Sequence, residues 1–242
     1  MRLIVLSVAL FASSASAQTL RLTIPLDGSF DLAHVELGTR EALELSAVVL
    51  TGVGHLVASE AGVSGAYIPA VVGGWGSYVG YRAATEPGTL RALGLTGGDL
   101  GRAARDVGLL TLGAAAGMAA YGAANGSLRV DPELGLLLAL YPAWGVTQQL
   151  LVQGFVTRHL DAAGLPPLAV VPASAVAFGS VHVPNWPLAA ATTALGGAFA
   201  PLYLRDRAVL PLGVAHGVLG GLFYTWVLEC DAVDQLRGTP CD

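Results

Sequence analysis

Three short groups of polar residues interrupt stretches that are otherwise apolar. The first is Gln148-Gln149-Leu150-Leu151-Val152-Gln153-Gly154-Phe155. On a helix, residues 149 and 153 share one face, and 148 lies about 100° round from 149. The second is Phe178-Gly179-Ser180-Val181-His182, near the end of its segment, and the third is His216-Gly217-Val218-Leu219-Gly220. Imidazoles can orient a water, hold a metal or stabilise an oxyanion, and amides supply hydrogen bonds to hold such groups. Polar side chains within membrane helices are costly and mark functional sites by default. Each group also has an ordinary explanation. A membrane-embedded Gln bonding to a neighbouring helix is worth about 1 kcal/mol, and a lone His is more often a satisfied core residue than a ligand.

The surrounding composition is that of a membrane protein. Of 242 residues, 54% are hydrophobic and 12% charged, against about 25% charged in soluble domains. Every basic side chain is Arg, the net charge is −5 and no basic run appears, so nucleic acid finds no footprint here. Apolar segments follow at 42–58, 67–81, 107–124, 134–155, 168–183, 188–204 and 209–228. Lipid-exposed backbone must satisfy its hydrogen bonds internally, and these runs lack the alternation of barrel strands. The fold class is therefore all-α, a polytopic transmembrane bundle of about six to eight membrane helices. Gly113 with Gly117, and Gly217 with Gly221, are spaced for close helix packing.

At the N-terminus, residues 1–17 read as a signal peptide or signal anchor, with Arg2 before an apolar stretch and Ala15-Ser16-Ala17 as a cleavage site. Residues 18–130 read as an N-terminal loop and accessory membrane helices, 131–230 as the core carrying all three polar groups, and 231–242 as a tail. Cys230 and Cys241 lie beyond the last apolar segment, placed for a disulfide on an outer face or for two separate thiols. Arg82 to Arg105, Arg158, Arg205 and Arg207 all fall on the cytoplasmic side if 107–124 runs outward. A cleaved signal followed by two full spans would put Arg82 to Arg105 outside. Either an early segment is re-entrant or interfacial, or the signal is an anchor.

Together the three groups resemble the motifs of the CAAX-protease and bacteriocin-processing (CPBP, or Abi) intramembrane peptidases. That family carries E-E-x-x-x-R on one helix, F-x-x-x-H on the next and H-x-x-x-N or H-x-x-x-D on a later one. The resemblance covers residues 134–228, with Phe178 and His182 keeping the second motif and His216 the histidine of the third. It implies a hydrolase of the bacterial inner membrane, multi-pass, acting as an endopeptidase on a membrane protein or lipidated peptide. In the family the first Glu and both histidines surround the attacking water. This sequence departs at the charged positions: Gln148 and Gln149 stand for the acids, Gln153 for the Arg and Gly220 for the Asn.

An amide is no general base. Glu133 and Glu229 are about 22 Å and 20 Å along their helices from Gln148 and His216. Losing two acids and one Arg together leaves a neutral, hydrogen-bondable cluster. Three readings stand: a peptidase with altered chemistry, a pseudoenzyme scaffold or chaperone using the same cavity, and a small transporter bundle. Zn is a cofactor candidate through His182 and His216, with His55 as a conceivable third ligand. His34 and His159 are placed in loops or at the interface, without a role.

Overall fold

The computed structural model describes residues 37–230. The signal reading, His34, Cys241 and the tail at 231–242 lie outside the described residues. Among the described residues all regular structure is helical. α1 (Thr39–Glu60) and α2 (Ser64–Thr85) form a hairpin, and α3 (Thr89–Ala92) is a single turn. α4 (Leu100–Asn125) follows, then α5 (Pro132–Gln149), which runs through a π-helical segment, Leu150–Thr157, into α6 (Arg158–Ala162). α7 (Pro167–Ser180), α8 (Trp186–Asp206) and α9 (Val209–Leu222) complete the bundle, and α9 ends in a π turn, Phe223–Val227.

Local chemistry sets the helix starts. Asp99, Asp131 and Asn185 accept the amide N–H three residues on, from Arg102, Leu134 and Leu188, at 2.9, 2.8 and 3.0 Å. Pro132 and Pro167 occupy first-turn positions where no amide donor is needed. Gly126 closes α4 in the left-handed region, at φ 77°.

Five stretches are long and apolar enough to cross a bilayer: Thr39–Glu60, Leu100–Asn125, Pro132–Ala162, Trp186–Asp206 and Val209–Val227. The chain is a helical membrane bundle. α7 is apolar but has 14 residues, about 21 Å against a hydrocarbon core of about 30 Å. α2 has the length of α1 but does not belong to the five.

The helix ends sort by charge. Arg40 pairs with Glu86 at 2.5 Å, and Arg82 with Glu44 at 2.6 Å, so α2 returns to the end where α1 begins. Arg102 with Asp206, Arg205 with Asp106 and Arg207 with Asp161, each at 2.6 Å, bring α4, α6 and α8 to that same end. Glu86, just beyond α2, is held below the ordinary carboxylate range by hydrogen bonds from Arg82 and then Arg40. At the opposite end Trp226 donates to the Arg129 carbonyl at 2.8 Å, and Ser127 to the Trp226 carbonyl at 2.7 Å.

The tightest packing is between α5 and α9. A Cβ on Gly145 would stand 2.4 Å from the Gly213 carbonyl oxygen, and one on Gly217 the same distance from Pro142 Cα. Backbone meets backbone there, which only small residues allow. Gly221 also faces α5, across Leu137 at 3.3 Å. Gly113 and Gly117 behave differently: nothing described lies within 4 Å of a Cβ on either. That spacing marks no contact among the described residues, because α4 turns this face away from its neighbours.

The prediction is asymmetric. Gly217→Leu should lower the thermal midpoint of the solubilised protein by at least the ~1–3 kcal/mol typical of overpacking. Gly113→Leu should leave it unchanged, as read by size-exclusion recovery after heating.

Candidate functional site

The α5–α9 crossing delivers Gln149 to His216. The Gln149 side-chain amide lies 3.3 Å from His216 Nδ1, with both residues buried. An N–H donated to Nδ1 fixes the tautomer that carries its proton on Nε2. His182 sits in the turn after α7. Its Nδ1–H donates to the Phe178 carbonyl at 2.9 Å, which leaves Nε2 as a lone-pair acceptor. Thr192 on α8 stands 3.2 Å from that Nδ1 while its hydroxyl donates to the Leu188 carbonyl. Phe178 joins the two histidines edge-on, its ring 5.4 Å from His182 and 4.9 Å from His216. One imidazole thus offers an acceptor and the other a donor.

Both histidines line a cavity of about 270 Å³, together with Tyr141, Thr192, Gly220 and Tyr224. Gly220 is where the resemblance places Asn. A Cβ there would stand 2.8 Å from Tyr141 Cε1, so the Tyr141 ring fills space that a longer side chain at 220 would need. Tyr141 meets Tyr224 edge-on at 6.3 Å. Neither tyrosine stood out in the sequence, where each reads as one more aromatic in an apolar run.

Not all the sequence candidates converge. Gln153 is fully buried but faces α7: its Oε1 lies 2.8 Å from the Thr157 hydroxyl, which is 2.8 Å from Ser174 Oγ. The π-helical segment accounts for this turn away, since it shifts the register beyond Gln149. Gln148 is buried beside Gln149. The side-chain oxygens of Gln148 and Gln149, and the Gln153 amide nitrogen, are buried without a protein partner.

The ligand set does not fit Zn. No group of three His, Cys, Asp or Glu among the described residues is placed to hold a metal, and catalytic zinc takes three protein ligands. His55 lies with its ring 6.3 Å from that of Trp144, and it completes no triad among the described residues.

A second polar cluster went unread in the sequence. Glu44 on α1 accepts from Tyr78 at 2.5 Å and Arg82 at 2.6 Å, and its other oxygen lies 2.6 Å from His159 Nε2. His159 is 1% exposed and Glu44 4%. The loop or interface placement of His159 is therefore corrected: the π segment carries it under α1. The available signal was an acid inside the apolar run 42–58, a rare and partnered residue in membrane helices.

Residues 131–227 match the family model described as Type II CAAX prenyl endopeptidase Rce1-like. That segment is similar to the CAAX-protease-like family. No curated protein and no solved structure matches the chain. The CAAX-protease-like segment contains every residue of the histidine cavity's polar lining, while Glu44, Tyr78 and Arg82 precede it.

The fit of Tyr141 against Gly220 is testable by coupling. Gly220→Ala should cost ~1–3 kcal/mol by overpacking, read as a fall in thermal midpoint. In a Tyr141→Leu background most of that loss should vanish, as expected of residues in direct contact.

Proposed function

We propose that this CAAX-protease-like membrane protein takes a segment of a membrane-associated polypeptide into the His182–His216 cavity and binds it without hydrolysing it. The observation that carries this reading is the absence of a carboxylate among the described residues that line the cavity. Glu44, the buried acid of the α1 hairpin, is committed to Tyr78, Arg82 and His159. Peptide hydrolysis needs a group to take the proton of the attacking water, and a carboxamide has no comparable basicity.

Binding asks for less. At the cavity wall His182 Nε2 would accept from a backbone N–H of an extended segment, while His216 Nε2–H would meet a carbonyl. The apolar remainder of the lining, from Leu110, Met118, Leu188 and Leu195, suits apolar side chains or a lipid-modified residue.

The peptidase reading has one observation in its favour. His182 keeps a free Nε2 lone pair at the cavity, a base in principle, although a backbone carbonyl rather than an acid orients it. We further propose that the protein sits in a bacterial inner membrane with its arginine-rich end in the cytoplasm, following the positive-inside bias.

New protein N-termini in membranes holding wild type, or His182→Ala/His216→Ala at equal abundance, distinguish the two. The binding reading expects identical sets of termini, with site-specific photocrosslinks from position 191 to a client lost in the double variant. Termini made only by wild type would replace it with the peptidase.

A further inference from the structure

The α1–α2 hairpin lies wholly outside the family segment and buries few of its own residues. Along α1 only Glu44 and Ala58 are buried, and along α2 only Ser64, Val71, Val79 and Arg82. A groove of about 610 Å³ runs between the two helices, lined by Leu43, Ala47, Thr51, Val71, Trp75 and Tyr78. Besides the packing of Trp75, Tyr78 and Val79 against the core around Phe155, two points fix the hairpin over the core. Near the arginine-rich end, Glu44 gathers Tyr78, Arg82 and His159. Eleven residues on, about 17 Å along a stiff helix, His55 lies beside Trp144. In that same stretch a Cβ on Gly52 would come within 2.9 Å of Val181 Cγ1, next to His182.

We propose that the α1–α2 hairpin is a movable wall flanking His182, latched to the core by Glu44. Of the three bonds to that carboxylate, two come from the hairpin's own α2 and one from His159, so the Glu44–His159 bond is what crosses from wall to core. The other groups facing the latch are Arg40 and Glu86, ion-paired at the rim, while the π segment contributes the Phe155 ring, 4.9 Å from Trp75 and 6.0 Å from His159. An apolar contact alone would let a helix slide. A buried charge with a single acceptor geometry gives two discrete states, made or broken. Release at Glu44 swings the far end of α1 away from Val181 and opens His182 to the lipid. This stands apart from what the cavity binds or does there.

Spin labels attached through unnatural residues at Val49 on α1 and Val214 on α9, in nanodiscs, read the wall's position; labels at Leu109 and Val214 report the core. Wild type should give one narrow distance for each pair. Glu44→Leu, and less strongly Glu44→Gln, should add a second Val49–Val214 population, longer by at least about 5 Å, with Leu109–Val214 unchanged. A Gly52→Cys/Val181→Cys disulfide should remove that population. An unchanged Val49–Val214 distribution in Glu44→Leu would overturn the latch, as would equal broadening of both pairs, which would make Glu44 an ordinary structural residue.

Discussion

Everything at the histidine cavity hangs on how closely α5 approaches α9. In lipid there is no hydrophobic drive for helices to associate, so their approach depends on shape and on the bonds it allows. Gly145, Gly213 and Gly217 remove the side chains that would hold the two backbones apart. Two helices at that separation can share a hydrogen bond between side chains as short as Gln and His. The Gln149–His216 contact is a consequence of that crossing, and so is the position of Tyr141, the residue before Pro142, against Gly220.

The neutrality of the cavity has a physical logic. An Arg buried without its acids would be an uncompensated charge, and acids buried without their Arg would repel each other. With Gln at 148, 149 and 153 none of these penalties arises. The Gln153 carbonyl accepts from Thr157, which also meets Ser174, while the oxygens of Gln148 and Gln149 stay buried and unmatched. A cavity lined by imidazoles, a threonine and tyrosines, with the amides buried behind it, keeps donors and acceptors without a carboxylate. The charges the described bundle does bury lie elsewhere, where Glu44 and Arg82 meet between α1 and α2 and at Asp206 beside Arg102 and Arg205.

Charge also organises the bundle from outside. Five ion pairs draw the ends of α1, α2, α4, α6 and α8 to one pole. The other pole is held by Trp226 and Ser127 through backbone carbonyls. This polarity makes α1 and α2 an out-and-back pair, since Arg82 closes on Glu44 near the start of α1.

The sequence by itself determined the solvent and the fold class. A run such as 134–155 cannot satisfy its backbone in lipid except as a helix, and Asp131, Pro132 and Pro167 mark helix starts by capping chemistry that needs no tertiary context. The Phe178–His182 and His216 motifs were legible too, because spacing along a helix fixes which residues share a face. Tertiary structure alone decided what lay across from them. Gln153 shares a face with Gln149 on an ideal helix, but the π segment turns it to Thr157 and Ser174. The pairs Gly113/Gly117 and Gly217/Gly221 read alike in sequence, yet only the second meets a neighbour. Glu44 and His159 are 115 positions apart, and no local pattern records that the fold closes one upon the other. Local rules govern a residue's conformation, whereas its partner is chosen by the path of the whole chain.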